Sequence, residues 1–196
     1  SGKTTIMDYL RRDYGNDLHY VPETASIIMC QIGVRPPHEP RAYEEFQRTI
    51  YRIQRGLETI TDFQAFRDEK KAVILDRGTV DGAAYLENGT AQLEDICRTS
   101  VIHHEYDHYD LVLHLASPSQ KIYELNRGNN PARATTNETY DQAITAGKRL
   151  HKVWEKHPSF IAIDDFENFD EKYLAVRRAI ERFLQQKDRG MRTEST

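Results

Sequence analysis

The sequence predicts an α/β fold: a parallel sheet covered by helices on both faces, a three-layer sandwich with a lid segment. Two observations lead there. Short apolar runs of strand length alternate with long stretches whose apolar residues recur at spacings of three and four. One run, Lys71-Ala72-Val73-Ile74-Leu75-Asp76, is continuously apolar and ends in an acid, as a parallel strand buried on both faces does.

Taken in order, Ile6, Met7, Tyr9 and Leu10 place a first helix from Lys3 or Thr4. Leu18-His19-Tyr20-Val21 is a short strand closed by Pro22. Over residues 41–69, Tyr43, Phe46, Ile50, Ile53, Leu57, Ile60, Phe63 and Phe66 mark a long helix with one buried face. The strand at 71–76 follows. A helical region then runs to about residue 107, interrupted near Asn88-Gly89. Asp110-Leu111-Val112-Leu113-His114-Leu115 is the next strand. Residues 117–136, with Pro, Gly, Asn and Arg, read as a loop or lid. Residues 137–157 return to helical spacing, and Phe160-Ile161-Ala162-Ile163-Asp164 is the last strand. A closing amphipathic helix spans 169–187 through Tyr173, Val176, Ile180 and Leu184. That makes one domain over 1–187, with a polar, frayed tail over 188–196.

Composition narrows the function. The 196 residues suit one domain, and eleven Tyr, seven Phe and one Trp supply a packed interior. A net charge of −4 argues against a dedicated nucleic-acid binder, which would carry a basic surface. No apolar run approaches the length needed to cross a bilayer. Cys30 and Cys97 form no Cys-x-x-Cys pair and read as reduced thiols of a cytoplasmic protein. The Asn-x-Ser/Thr sequons at Asn88 and Asn137 read as chance matches.

Ser1-Gly2-Lys3-Thr4-Thr5 contains the end of the phosphate-binding pattern G-x-x-x-x-G-K-[ST]. The pattern's first glycine and the strand before it are not among these residues. Gly2 lets the backbone approach a phosphate with no Cβ in the way. The helix that starts here turns its free N–H groups and positive dipole end toward an anion. Lys3 would reach the β- and γ-phosphates of ATP or GTP, and Thr4 would ligate Mg²⁺. Five residues are a weak signal alone; the order of three other groups strengthens it. Asp76-Arg77-Gly78 ends a strand where an acid organises Mg²⁺ and its waters. Pro22-Glu23-Thr24 follows the second strand of the pattern. Arg127 and Arg133 lie in the lid. All fall at carboxyl ends of strands, where open α/β sheets collect ligands.

Together "SGKTT", "VPETA", "VILDRGTVDGAAY", "YDLVLHLA", "NNPAR" and "HPSFIAIDD" resemble the AAA-type ATPase/kinase-like P-loop domain shared by ribosylnicotinamide kinases and TRP-like translocation-defect proteins. The resemblance covers roughly residues 1 to 185, and the layout is more distantly similar to thymidylate and deoxynucleoside kinases. It implies a nucleoside- or nucleotide-kinase-like P-loop fold with a lid. By the same resemblance Lys3 and Thr4 match the phosphate and Mg²⁺ positions, and Asp76 matches the Walker-B acid. Glu23 matches a carboxylate that contacts the acceptor, Arg77 an arginine that holds substrate or phosphate, and Arg133 a lid arginine.

Each assignment has a plainer counterpart. Glu23 is either a general base for an acceptor hydroxyl or an N-cap and positioning group. Asp81 either shares the site or, the reading we favour from sequence, caps the following helix. Arg127 and Arg133 either neutralise charge during phosphoryl transfer or lie on a solvated loop. Arg35 and Arg41 read as solvated, and Trp154 and Tyr140 as core. His104-Glu105-Tyr106-Asp107-His108 satisfies the H-E-x-x-H zinc pattern. Zinc chemistry needs both histidines on one face in mid-helix, whereas this helix is expected to end at the motif, before the strand at Asp110. A zinc hydrolase is therefore discounted.

The expected function is that of an Mg²⁺-dependent phosphotransferase with ATP or GTP as donor and a nucleoside or other small metabolite as acceptor. Acceptor choice is expected to reside in 30–60 and 85–107. No nucleic acid or membrane partner is expected. The alternative is a nucleotide-dependent regulatory NTPase or switch without an acceptor. The missing guanine-reading N-K-x-D phrase counts against a small-GTPase-like switch.

Overall fold

In a computed structural model, residues 2–126, 139–166 and 168–194 are described. Helix α1, Lys3–Tyr14, starts from Gly2, whose φ of 74° lies in the left-handed region. That conformation favours glycine, and a Cβ on Gly2 would in addition press on the Phe169 ring at 3.0 Å. Ile6, Met7 and Leu10 bury one face of α1, and Arg11 and Arg12 complement the negative end of the helix dipole in its last turn. Strand β1, Leu18–Val21, follows. A short helix α2, Thr24–Ser26, continues as a π-helical turn over Ile27–Ile32.

Helix α3, Pro40–Arg67, has Pro40 in its first turn, and the Glu39 carboxylate accepts from the N–H groups of Arg41 and Ala42. It lies where the sequence places it, but its buried side differs from the one the apolar spacings mark. Gln47, Gln54, Glu58 and Ala65 are buried, while Ile60 (64% exposed), Phe63 and Phe66 (85%) face outward. The inward face is polar because its side chains have polar partners: Gln47 Nε2 donates to Tyr43 Oη at 3.1 Å, and those of Gln54 and Glu58 are described below.

Strand β2, Ala72–Leu75, pairs in parallel with β1 in the register Leu18↔Ala72 to Val21↔Leu75. A 3₁₀ segment over Thr79–Tyr85 leads to helix α4, Gly89–Cys97. Strand β3, Val112–Leu115, pairs in parallel with β4, Phe160–Ile163, in the register Val112↔Phe160 to Leu115↔Ile163. Between them lie α5, Gln120–Asn126, within the segment read as lid, and α6, Tyr140–Trp154, opened by a capping box between Thr139 and Gln142. Helix α7, Phe169–Glu194, closes the described chain and continues beyond the expected end at 187.

The α/β class and the parallel direction of the strands are as predicted. Among the described residues the strands form two separate two-stranded sheets and not one continuous sheet. β2 and β3 both line the cavity described below. One core packs Ile6 and Leu10 of α1 against Ile163, Tyr173, Val176 and Ile180. A second gathers Val80, Ala83, Leu93, Ile96, Val101, Tyr106, Val153 and Trp154. No helix among the described residues is long and apolar enough to cross a membrane.

Candidate functional site

A cavity of about 790 Å³ runs between α1, α3 and the two sheets. Of the residues given a site role from sequence, Lys3, Glu23, Asp76 and Arg77 line it, as does Asp81. Thr4 and Thr5 lie on the exposed side of the first turn of α1 and do not line it. Ser1, Arg127, Arg133 and the sequon at Asn137 lie outside the described residues.

Lys3 comes from the first position of α1, and Asp76 follows β2 directly. Their charges meet at 3.2 Å, Nζ to Oδ1. This contact is an ion pair without hydrogen-bond geometry, since Asp76 Oδ1 is buried and has no hydrogen-bond donor. A buried carboxylate oxygen in that state has unused capacity to accept, from a bound ligand or from the water shell of a metal ion.

Arg77 sits on the turn out of β2 with φ of 86°, a left-handed conformation that a non-glycine residue holds only when its surroundings over-determine it. Three groups fix that turn. Gln54 Nε2 donates to the Arg77 carbonyl at 3.1 Å. Thr79 N–H donates to Tyr109 Oη at 2.7 Å. Gly78 lies flat on the Tyr109 ring, where a Cβ would come within 2.9 Å of ring atoms. The guanidinium reaches two carboxylates, with Nε 3.4 Å from Glu23 Oε1 and Nη1 3.3 Å from Asp81 Oδ2. Burial works against the Arg77 charge; Tyr85 and the Asp81, Glu23 and Asp76 carboxylates outweigh it and raise its pKa above the ordinary arginine value.

Glu23 occupies the N-cap position of α2, yet its side chain caps no backbone N–H. It turns to Arg77 and accepts from Ser26 Oγ at 2.6 Å. Burial pushes this carboxyl up, but the charges of Arg77 and Lys3 and the Ser26 hydrogen bond hold it below its ordinary value, so it is ionised at neutral pH.

Asp81 corrects the expectation of a helix cap. The segment after Gly78 has no side-chain cap, and Asp81 instead points to Arg77 and accepts from the Trp154 indole N–H at 2.5 Å. Burial raises the Asp81 carboxyl above its ordinary value, against the pull of Arg77 and Trp154. Trp154 is buried in the core as expected and also serves this polar contact.

A second polar layer backs the site, and sequence reasoning missed it. Glu58 accepts from Gln54 Nε2 at 2.8 Å and from Tyr109 Oη at 3.0 Å. Glu105 pairs with Arg55 and accepts from Thr79 Oγ1 at 2.8 Å and Tyr51 Oη at 2.9 Å. The signal available was the run of polar residues at 47, 54 and 58, which share one face of α3. His114 on β3 also lines the cavity, with its ring 5.1 Å from that of His151. Burial, then the charges of His151, Arg77 and Lys172, lower its pKa to about 4.

The H-E-x-x-H segment is not a regular helix. A π-helical turn over Val101–Glu105 passes into a 3₁₀ turn over Tyr106–His108, so the i, i+4 face that zinc needs is not built. Glu105 is 2% exposed and committed to Arg55, Thr79 and Tyr51, while His104 and His108 are exposed. Among the described residues no group of three or more His, Cys, Asp and Glu is arranged to hold a metal ion. Arg35 and Arg41 are exposed, in keeping with solvated side chains. Cys30 and Cys97 are free thiols.

A family model described as an AAA domain matches residues 1–172. No curated protein matches the chain.

Proposed function

The chain belongs to this AAA-domain family, a family of nucleotide-binding P-loop domains, and from that premise we propose that it is an Mg²⁺-dependent phosphotransferase acting on a small hydroxylated acceptor. The reading takes residues 1–187 as one nucleotide-binding domain and the two parallel ladders as parts of the middle layer of a three-layer sandwich. It also takes the thiols of Cys30 and Cys97 as those of a cytoplasmic protein.

The observation that carries the proposal is the convergence on one cavity of Lys3 with Asp76 and of Glu23 with Arg77. The first pair suits the polyphosphate of ATP or GTP. Lys3 supplies a cation for the β- and γ-phosphates, beside a helix N-terminus whose N–H groups are free to bind oxygen. Asp76, whose Oδ1 has an unused acceptor position, offers a hard oxygen donor of the kind Mg²⁺ takes; by the sequence pattern the Thr4 hydroxyl would be a second, although it lies on the exposed side of the first turn of α1. Mg²⁺, when bound, neutralises phosphate charge.

The second pair suits the acceptor. Glu23 is ionised and held by Arg77, so it can orient an acceptor hydroxyl and take its proton. The hydroxyl oxygen then bonds to the γ-phosphorus, the bond from that phosphorus to the bridging oxygen breaks, and the departing nucleoside diphosphate keeps that electron pair. Arg77, with a lid arginine such as Arg127 or Arg133, offsets charge on the transferring group. Such a site works by positioning and electrostatics, so the set matters more than any one member.

Calorimetry with Mg·ATP and Mg·GTP tests the donor half, and a screen of nucleosides and other small alcohols for acceptor-dependent diphosphate release tests the acceptor half. Binding with acceptor-dependent turnover supports the proposal. Turnover with no acceptor dependence would instead favour a regulatory NTPase, and no nucleotide binding would remove the donor assignment.

A further inference from the structure

Gln54 lies in the middle of α3, far in sequence from either member of the Glu23–Arg77 pair, and is 2% exposed. Its amide is fully engaged. Oε1 accepts from Thr24 Oγ1 at 2.5 Å, and Nε2 donates to Glu58 Oε1 at 2.8 Å and to the Arg77 carbonyl at 3.1 Å. A buried amide is stable only when both ends are paired, and each partner here leads to the site. Thr24 is the residue after Glu23. The Arg77 carbonyl belongs to the residue in the left-handed conformation. Glu58 binds Tyr109, whose ring and hydroxyl hold Gly78 and Thr79.

We propose that Gln54 is the positioning residue of the Glu23–Arg77 pair, one side chain that ties the backbone turns carrying the two charges together. It touches no reacting atom. The turn after β1 and the turn after β2 are separate pieces of chain, and the β1–β2 ladder ends at Val21↔Leu75, short of both. Beyond the ladder, Asp76 N–H still bonds to the Val21 carbonyl, and past that point Gln54, a side chain from neither turn, bonds to both. Arg77 would relax toward an ordinary backbone conformation without that restraint, and its guanidinium would swing from Glu23. The inference rests on the proposed role of Glu23 and Arg77 at the acceptor, but its test does not need turnover.

The test is the titration of Glu23 by carbon-13 NMR in Gln54→Met, which keeps the side-chain length and removes the hydrogen bonds. The groups acting on Glu23 are Arg77, Lys3 and the Ser26 hydroxyl. The native carboxyl titrates below the ordinary glutamate range; in Gln54→Met it is expected to rise into that range, because its nearest cation has moved. Ile96→Val on α4 trims a core contact away from the site and is expected to leave the titration unchanged. An unchanged Glu23 in folded Gln54→Met would overturn the proposal. If that variant does not fold, Thr24→Val removes one of the ties while keeping shape, and an unshifted Glu23 there is equally adverse. Mg·ATP affinity of the native chain is measured alongside. Its absence would count against the donor reading while the Glu23 titration still decides on Gln54.

Discussion

The Trp154 indole N–H donates to Asp81 Oδ1 at 2.5 Å, while Asp81 Oδ2 lies 3.3 Å from Arg77 Nη1. One carboxylate thus joins the end of α6 to the arginine at the end of β2. Burial raises the Asp81 carboxyl above its ordinary value, against the pull of these two donors. Removing the indole donor leaves one oxygen without its partner. Trp154→Phe should therefore destabilise the protein by about 1–3 kcal/mol beyond the loss of ring area, the usual effect of stranding a buried acceptor. Urea unfolding measures it, and Asp81→Asn in the same background should lessen the effect. A purely additive pair would count against the coupling.

The same bond gives a spectroscopic handle. Trp154 is the one tryptophan of the chain, so its emission reports this one environment, in which Tyr106 and Tyr109 also pack against the indole. Arg77→Met should shift Trp154 emission, because Asp81 loses its cation and reorients. Identical spectra for the native protein and Arg77→Met would mean that the two ends of the carboxylate act independently.

Lys3→Ala should abolish measurable Mg·ATP and Mg·GTP binding by calorimetry. The cation is lost from the helix N-terminus, and Asp76 loses the ammonium partner 3.2 Å away. A hydrogen bond to a charged group is worth about 1.5–3 kcal/mol, roughly ten- to a hundredfold in affinity, and the long-range charge adds to it. Unchanged affinity would contradict the P-loop assignment.

Much of this arrangement was legible in local sequence, and the rest was not for definable reasons. Lys3 and Asp76 declare themselves through a helix start and a strand end, features of a few adjacent residues. The direction of the strands followed from helices between them, but the number of strands in one sheet depends on pairing between distant segments. On α3 the apolar spacing marked Ile60, Phe63 and Phe66, which the structure leaves exposed; the inward face is the polar one because Gln54 and Glu58 find partners there. Asp81 looked like a cap because its partner, Trp154, lies 73 residues away. Arg127 and Arg133 lie outside the described residues.

Gly78 is the next residue after the left-handed Arg77, and its own need for glycine is steric. A Cβ there would sit 2.9 Å from the Tyr109 ring and hydroxyl, closer than packed atoms tolerate. Gly78→Ala should destabilise by about 1–3 kcal/mol through overpacking. The clash needs both partners, so Tyr109→Leu should absorb part of that effect. A double-mutant cycle by urea unfolding should show favourable coupling between the two sites, and a zero coupling term would remove the clash as the explanation.

His114 supplies a prediction on pH. Its ring is packed beside His151 and Phe160, and Arg77 and Lys172 add positive charge nearby. Burial first, then these cations, bring its pKa from the ordinary 6.5 down to about 4. The folded protein therefore binds fewer protons at this residue than the unfolded chain between those two values. Stability rises with pH wherever the unfolded state holds more protons, so His114 makes the fold weaker as pH falls from 6.5 toward 4. Glu58 and Asp81 act oppositely in the range just above the ordinary carboxylate values, since their raised pKa values let the folded state take up protons there. The His114 contribution is therefore isolated by difference. His114→Leu should lose less stability than the native protein on going from pH 7 to about pH 5, where an ordinary histidine is almost fully protonated. Urea unfolding at both pH values measures the two losses. Parallel losses in the two proteins would mean that His114 is as easily protonated in the fold as outside it, and that neither burial nor the charges of His151, Arg77 and Lys172 hold its pKa down.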